Sequence, residues 1–271
     1  MRLPRHLPFE RRAVIDGLLA VTFDFGNTLV PFPAASMSEV VRLTAETAAG
    51  IVGCRPEEFV RVWAEERQRQ LDENVPEGRE ADMDVRVVRV IARLRGVPSP
   101  GPDRWEDASI AAVCEPGELS AILNAYARAF VAETPVPRGI EPMLARLAGR
   151  YRLAVLSNWP LAIAVERYLD AAGWSPHLTA TVISHRVGAI KPRPLIFEAA
   201  ARALGVESGP AILHVGDDPG ADIVGAHAVG WRAAWVRIKP EGSPLPFMVP
   251  TANSQPDLIV DNVLDIEAAI S

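Results

Sequence analysis

Residues 20–30 read AVTFDFGNTLV, an apolar and β-branched run that ends in an aspartate, Asp24, and then turns through small residues. A short run of this kind bounded by turn residues predicts a buried strand that delivers Asp24 at its end. A carboxylate launched from a buried strand is costly to keep charged unless a cation or hydrogen-bond donors meet it, so its position asks for a chemical reason. Position 26, where a second acid would complete a DxD pair, is Gly26.

Working outward, similar runs recur beyond residue 140: RLAVLS (152–157), TVIS (181–184), AILHVG (211–216), RAAWVRI (232–238) and DLIV (257–260). Between them EPMLARLAGR, LAIAVERYLDAAG, LIFEAAARALGV and ADIVGAHAVG carry helical periodicity and mostly end near glycine. Strand and helix in alternation predict an α/β fold, a parallel Rossmann-like sheet with helices on both faces. The stretch from about 34 to 135 shows helical spacing only, in SEVVRLTAETAAGIV, PEEFVRVWAEERQRQLDE, VRVVRVIARLRG and ELSAILNAYARAFVAET. The expected organisation is a core of residues 18–33 and 136–271 with an all-helical cap, 34–135, inserted after the first strand. Prolines at 31, 33, 135 and 137 flank that insertion as paired linkers. The plainer alternative is one continuous mixed domain.

At 271 residues, 49% of them apolar, the chain can bury a full core. Its net charge of -6, with acids and bases interspersed, argues against a nucleic-acid-coating surface. No apolar run approaches membrane-spanning length. Cys54 and Cys114 form no CxxC pair, which makes a reducing, cytoplasmic setting the expectation. Residues 1–17 are basic without an apolar signal core and read as an N-terminal extension. The Pro-rich stretch 239–256 reads as a surface loop of no evident function. Arginine outnumbers lysine 26 to 2, so Lys191 and Lys239 stand out.

Open parallel sheets bind ligands beyond the carboxyl ends of their strands. The residues that follow these strands are Asp24, then Ser157 and Asn158, then Lys191, then Asp217 and Asp218, with Asp222 at the start of a helix. Carboxylates, a lysine and a hydroxyl at one sheet edge are what a divalent cation and a phosphate jointly need: oxygen ligands for the cation, ammonium and amides for the anion.

In this order the chain resembles the haloacid dehalogenase superfamily of hydrolases, in the branch with a helical cap after the first strand. FDFGNTL (23–29), LAVLSN (153–158), the lysine of GAIKPRPLIF (188–197) and HVGDDPGADIVGAHAVG (214–230) carry the likeness. The resemblance implies a Mg2+-dependent phosphohydrolase acting on a small phosphorylated metabolite. Asp24 is then the nucleophile that forms an aspartyl-phosphate, Ser157 and Asn158 hold the phosphoryl oxygens, and Lys191 neutralises the charge shared by phosphate and Asp24. Asp24, the carbonyl of Gly26 and Asp217 bind Mg2+, with Asp222 as a further or supporting acid.

Each residue also has a plainer reading. Asp218, ahead of Pro219, suits a helix N-cap, and Asp222 suits the positive end of the same helix. His214 sits in an apolar strand as a core histidine, whereas His185 is open to either reading. Trp159 either shapes the mouth of the site or simply packs. The charged faces of RVWAEERQRQ (61–70) read as solvated surface.

Gly26 sets the open question. In phosphatases of this superfamily the residue two after the nucleophile is usually an aspartate that protonates the leaving oxygen, worth roughly 10²- to 10⁴-fold. Its loss leaves three routes: an activated substrate such as a sugar phosphorylated at its anomeric carbon, a proton from the cap or substrate, or a non-catalytic phosphate-binding protein. A metal-independent 2-haloacid dehalogenase is a further alternative, but it has no use for Asp217 and Asp222. A phosphonate hydrolase would be expected to use a cap lysine, and residues 34–135 contain none.

Overall fold

The apolar runs become strands, and every pairing among them is parallel. A computed structural model describes residues 15–99, 110–237, 242–248 and 255–270. Its strands are β1 (Ala20–Phe23), β2 (Arg152–Ser157), β3 (Ala180–Ile183), β4 (Ile212–Gly216), β5 (Arg232–Val236) and β6 (Leu258–Val260). They form one sheet in the order β3-β2-β1-β4-β5-β6. Every residue of β1 and β4 is buried. Burial on both faces is why these segments read as continuous apolar runs rather than alternating ones.

Period two still sorts their side chains. Val21, Phe23, Leu153, Val155, Leu213 and Val215 join one apolar cluster. Ala20, Ala154, Leu156, Ile212 and Ala233 join the other, with residues of two helices that will be labelled α8 (Pro194–Leu204) and α9 (Val224–Ala228). Strand ends differ slightly from the sequence expectation. TVIS stops at Ile183 because Ser184 opens a short helix, α7 (Ser184–Val187), and RAAWVRI stops at Val236.

Between β1 and β2 run four long helices, α1 (Ala34–Val52), α2 (Pro56–Asn74), α3 (Met83–Arg95) and α4 (Pro116–Glu133). Then α5 (Ile140–Ala148) leads back into β2. No strand occurs between residues 34 and 135 among the described residues. Local chemistry sets the starts: α2 has proline at its first position with Glu57 and Glu58 in its first turn, and Glu115 and Glu118 form a capping box on α4. Phe130 of α4 packs on Phe32 and Trp159, with ring centroids 5.8 and 5.2 Å apart. One apolar core thus runs from the sheet into the helical insertion. Two further helices are α6 (Ala162–Ala171), which follows β2, and α10 (Ile266–Ala269), which follows β6.

Most of the N-terminal extension, residues 1–14, and parts of the Pro-rich loop lie outside the described residues. Among the described residues no helix is long and apolar enough to cross a membrane.

One glycine bears directly on the placement of Lys191. A Cβ on Gly225 in α9 would stand 2.4 Å from Phe197 Cε2 and 2.9 Å from Pro192 Cα, the residue after the lysine. Gly225→Ala is therefore expected to cost about 1–3 kcal/mol by overpacking. Denaturant unfolding would measure it, and an unchanged midpoint would show that α9 shifts freely.

Candidate active site

The strand order places the catalytic shortlist. The chain moves outward through β2 and β3 on one side of β1 and through β4, β5 and β6 on the other, so a crevice opens at the carboxyl ends of β1 and β4. Asp24 follows β1, and its backbone N–H donates to Val215 O of β4 at 2.8 Å. Asp217 follows β4, and Ser157 ends β2 on the other flank of β1.

Lys191 enters from the loop between α7 and α8. Its Nζ donates to Asp24 Oδ1 at 2.7 Å, Asp222 Oδ1 at 2.6 Å and Leu156 O at 3.0 Å. Three donors meet three acceptors, so the ammonium is satisfied although only 2% of the residue is exposed. Asn158 holds the lysine's own backbone: its Oδ1 accepts from Lys191 N at 2.7 Å, and its Nδ2 donates to Lys191 O at 3.2 Å. Its side-chain amide is thereby engaged in positioning the lysine.

Carboxylate oxygens of Asp24, Asp217 and Asp222 come within 4.8 Å of one another. Three acids thus face one ammonium. Burial alone would depress the Lys191 ammonium, but Asp222 and Asp24 hold it above its ordinary range. Burial alone would raise Asp222, yet Lys191 and His214 hold it well below the usual carboxylate range. Asp24 is pushed up, by burial first and by Asp222 in addition, against the pull of Lys191. Among the described residues no ion pair to Asp217 is found, and Lys191 pulls on it only from a distance. Burial, then the charges of Asp24 and Asp222, push it up to about 8. Three carboxyl groups thus outnumber the one ammonium beside them, and oxygen donors so close together fit a hard divalent cation.

Asp222 is tied from behind. Its Oδ1 also meets His214 Nε2 at 3.1 Å, and its Oδ2 accepts from Asp218 N at 2.9 Å. His214 is fully buried, with Nδ1 2.8 Å from Thr22 Oγ1 and its ring edge-on to Phe197. Burial lowers its pKa, and the two contacts hold the ring between Thr22 and Asp222. Gly216 makes room for this: a Cβ there would lie 2.2 Å from Asp222 Cγ. Asp218 is the helix cap that its place before Pro219 predicts, accepting from Gly220 N and Ala221 N at 2.9 and 3.1 Å.

A cavity of about 260 Å³ opens over this cluster, with Asp24, Ser157, Lys191 and Asp217 below and Trp63, Arg67, Arg86 and Tyr126 contributed by the helical insertion. Trp159 lines it and also packs edge-on to Phe25. His185 lies elsewhere, its Nε2 3.3 Å from Asp84 of α3.

Sequence comparison agrees with this geometry. Residues 18–230 match the family of haloacid dehalogenase-like hydrolases. The chain belongs to that family. Over 84 residues it is 40% identical to phosphoserine phosphatase of Thermus thermophilus, a match spanning 31% of this chain and 33% of that protein. A 2-haloacid dehalogenase from Pseudomonas syringae superposes with a TM-score of 0.65 at 21% identity, covering 93% of this chain and 98% of the other. A HAD phosphatase from Thermococcus onnurineus gives 0.57 at 19%, covering 94% and 98%. At these identities the structural likeness speaks for the fold alone.

Two parts of this hydrolase's cavity escape the sequence reading. The Pro-rich loop, expected as a surface loop of no evident function, contributes Pro244, Leu245, Pro246, Phe247 and Met248 to the lining. It is anchored by contacts remote in sequence: Ser243 Oγ donates to Asn27 Oδ1 at 3.1 Å and Met248 N to Asp218 Oδ2 at 2.8 Å. The charged face of α2 is the second. Glu66 and Gln70 are 1% and 0% exposed, while Arg67 reaches Pro244 O at 3.0 Å. Only the face bearing Arg61, Glu65 and Arg69 is solvated as expected. The spacing of Glu66 and Gln70 four apart, in register with Phe59, Val62 and Trp63, was the available signal.

Proposed function

We propose that this hydrolase is a Mg2+-dependent phosphohydrolase that acts on a small phosphorylated metabolite through an aspartyl-phosphate on Asp24. One observation carries the reading: three carboxyl groups converge around a single lysine, which pairs with Asp24 and Asp222, and among the described residues no ion pair to Asp217 is found. A dehalogenase attacking carbon has no need of a third carboxyl group there.

Asp24, Asp217 and the Gly26 carbonyl would hold Mg2+, with Asp222 supporting from behind, where it already fixes Lys191 and His214. When bound, the cation supplies charge neutralisation for the phosphoryl oxygens and lowers the cost of bringing anionic Asp24 to an anionic substrate. The chain's own residues do the rest. Lys191 keeps one oxygen of Asp24 fixed and offers positive charge at the same point. Ser157 and the backbone N–H of Asn158 would receive the phosphoryl oxygens, while the Asn158 side chain keeps the lysine loop in register. An Asp24 oxygen forms a bond to phosphorus as the bond to the leaving oxygen breaks. Water then attacks phosphorus, Asp24 is released and inorganic phosphate departs.

In this reading residues 34–135 form the cap and residues 18–33 with 136–271 the catalytic core. Cys54 and Cys114 are both free thiols, as a reducing cytoplasm would keep them.

The test is phosphate release from a panel of phosphomonoesters and acyl phosphates. Chelation is expected to lower turnover by about 10²-fold or more, and added Mg2+ to restore it. Metal-independent chloride release from 2-haloacids would replace this reading with the dehalogenase one. Metal and phosphate binding without turnover of any panel member would leave a non-catalytic protein.

A further inference from the structure

The space beside Gly26 is filled with carbon. A Cβ at this position would stand 2.5 Å from Leu245 Cδ1, 3.5 Å from Trp159 Cζ3 and 3.7 Å from Phe32 Cδ2. A second carboxylate is thus missing from the sequence, and the volume it would enter is closed by apolar side chains that offer no proton. Leu245 is held there from both lobes. Ser243 ties its loop to Asn27, Met248 ties it to Asp218, and Arg67 of α2 donates to Pro244 O.

Three of the charged groups higher in the cavity, Arg67, Arg86 and Glu80, already hold protein partners. Arg86 donates to Gln70 Oε1 and Ala81 O, and Glu80 accepts from Ala81 N and the Ser184 hydroxyl. Tyr126 is buried in the wall. Much of the remaining wall is apolar, with Met37, Val41, Trp63 and Leu71 from the helices and Leu245 and Phe247 from the loop. A polyhydroxylated leaving group would lose water against these apolar side chains, whereas an apolar body is favoured there.

Building on the phosphohydrolase reading, we propose that the leaving group departs unprotonated, and that the substrate is the phosphate of an acidic oxygen on an apolar body: an acyl phosphate, or a phosphate of a phenol-like hydroxyl. The electron pair of the breaking P–O bond stays on the leaving oxygen, which departs as carboxylate or phenolate. No proton moves from the protein in that step. Carboxyl and phenol groups ionise near about 4 and about 10, whereas water, the nearer analogue of an alkyl alcohol, does so near about 16. An alkoxide is therefore a poor leaving group without an acid. Phosphoserine, an alkyl phosphate, falls on the unfavourable side.

The experiment is kcat/KM of the Mg2+-loaded enzyme across aryl phosphates of graded phenol acidity, with benzoyl phosphate and phosphoserine as further arms. The rate is expected to climb steeply with phenol acidity, and phosphoserine to fall at least about 10³-fold below the most acidic aryl ester. Comparing benzoyl with aryl phosphates tells the two sources apart. A flat series, with phosphoserine as fast as the aryl esters, would overturn the proposal and point to a hidden acid such as Glu80. No turnover of even the most acidic esters would instead remove the phosphohydrolase reading itself. As a second measurement, the double variant Gly26→Asp, Leu245→Ala restores both the acid and the room for it. The ratio of phosphoserine to aryl turnover should then rise by about 10²-fold; an unchanged ratio in a folded double variant also counts against the proposal.

Discussion

Asp24→Asn is expected to abolish phosphate release, by on the order of 10⁴-fold or more, while the protein stays folded and no less stable. The carboxamide keeps the shape of Asp24 and an oxygen acceptor for Lys191 Nζ, now 2.7 Å from Oδ1. It removes a nucleophilic oxygen anion, which no neighbour replaces in position. On the stability side, burial and Asp222 both disfavour the Asp24 charge, so its loss relieves a cost. Lys191 keeps Asp222 as its ionic partner at 2.6 Å. Thermal melting without metal should therefore give a midpoint equal to or above that of the parent. Mg2+ should raise that midpoint less in the variant, because one anionic ligand is gone. Full turnover by a pure, sequence-verified Asp24→Asn protein would take Asp24 out of the mechanism.

The sheet was legible because its strands are buried on both faces, and such strands announce themselves as unbroken apolar runs. The helical insertion was legible by period, and its helices begin and end within a few residues of the expected segments. Strand-end chemistry followed from topology, since any residue just beyond a parallel strand lies at the same edge. What one dimension hides is who meets whom across it. Asp222 read equally well as a dipole partner of its helix or as a ligand, and only the fold brings it under Lys191 and His214. Gly26 read as a missing group, and only the fold puts Leu245 in its place. The loop carrying Leu245 has no periodicity, and its fixed points, Asn27 and Arg67, lie more than 170 residues away. Buried charges in the insertion escaped for the same reason: Arg89 is 1% exposed because Glu73 of α2 meets it at 2.8 Å.

Lys191→Met should be the most damaging single change to the fold as well as to activity. The methionine fills much of the lysine's volume but leaves Asp24 and Asp222 buried without their cation, and Leu156 O without its donor. Stripping one partner from a buried ionic cluster costs about 3–5 kcal/mol, more than the apolar packing of the new side chain returns. Turnover should vanish with it, since the charge shared by phosphate and Asp24 loses its counterion. The pH dependence separates this cause from simple mispacking. In the parent, Asp222 is held below its unfolded pKa, so it contributes stability above that pKa and loses it as the pH falls. In the variant Asp24 is buried without an ionic partner and Asp222 keeps only His214 and the Asp218 N–H, so both folded pKa values move up, and for Asp24 the sign is the reverse of that for Asp222 in the parent. Stability is then kept in acid and lost as the pH climbs through the raised values. Metal-free melts should accordingly show a gap between parent and variant that is widest near neutrality and narrows toward about pH 4, where carboxylates protonate. Adding Asp222→Asn to Lys191→Met should recover part of the loss, because it removes one stranded charge. A pH-independent gap, with no recovery in the double variant, would mean that Lys191 matters for its bulk and that the charge balance proposed for this site is wrong.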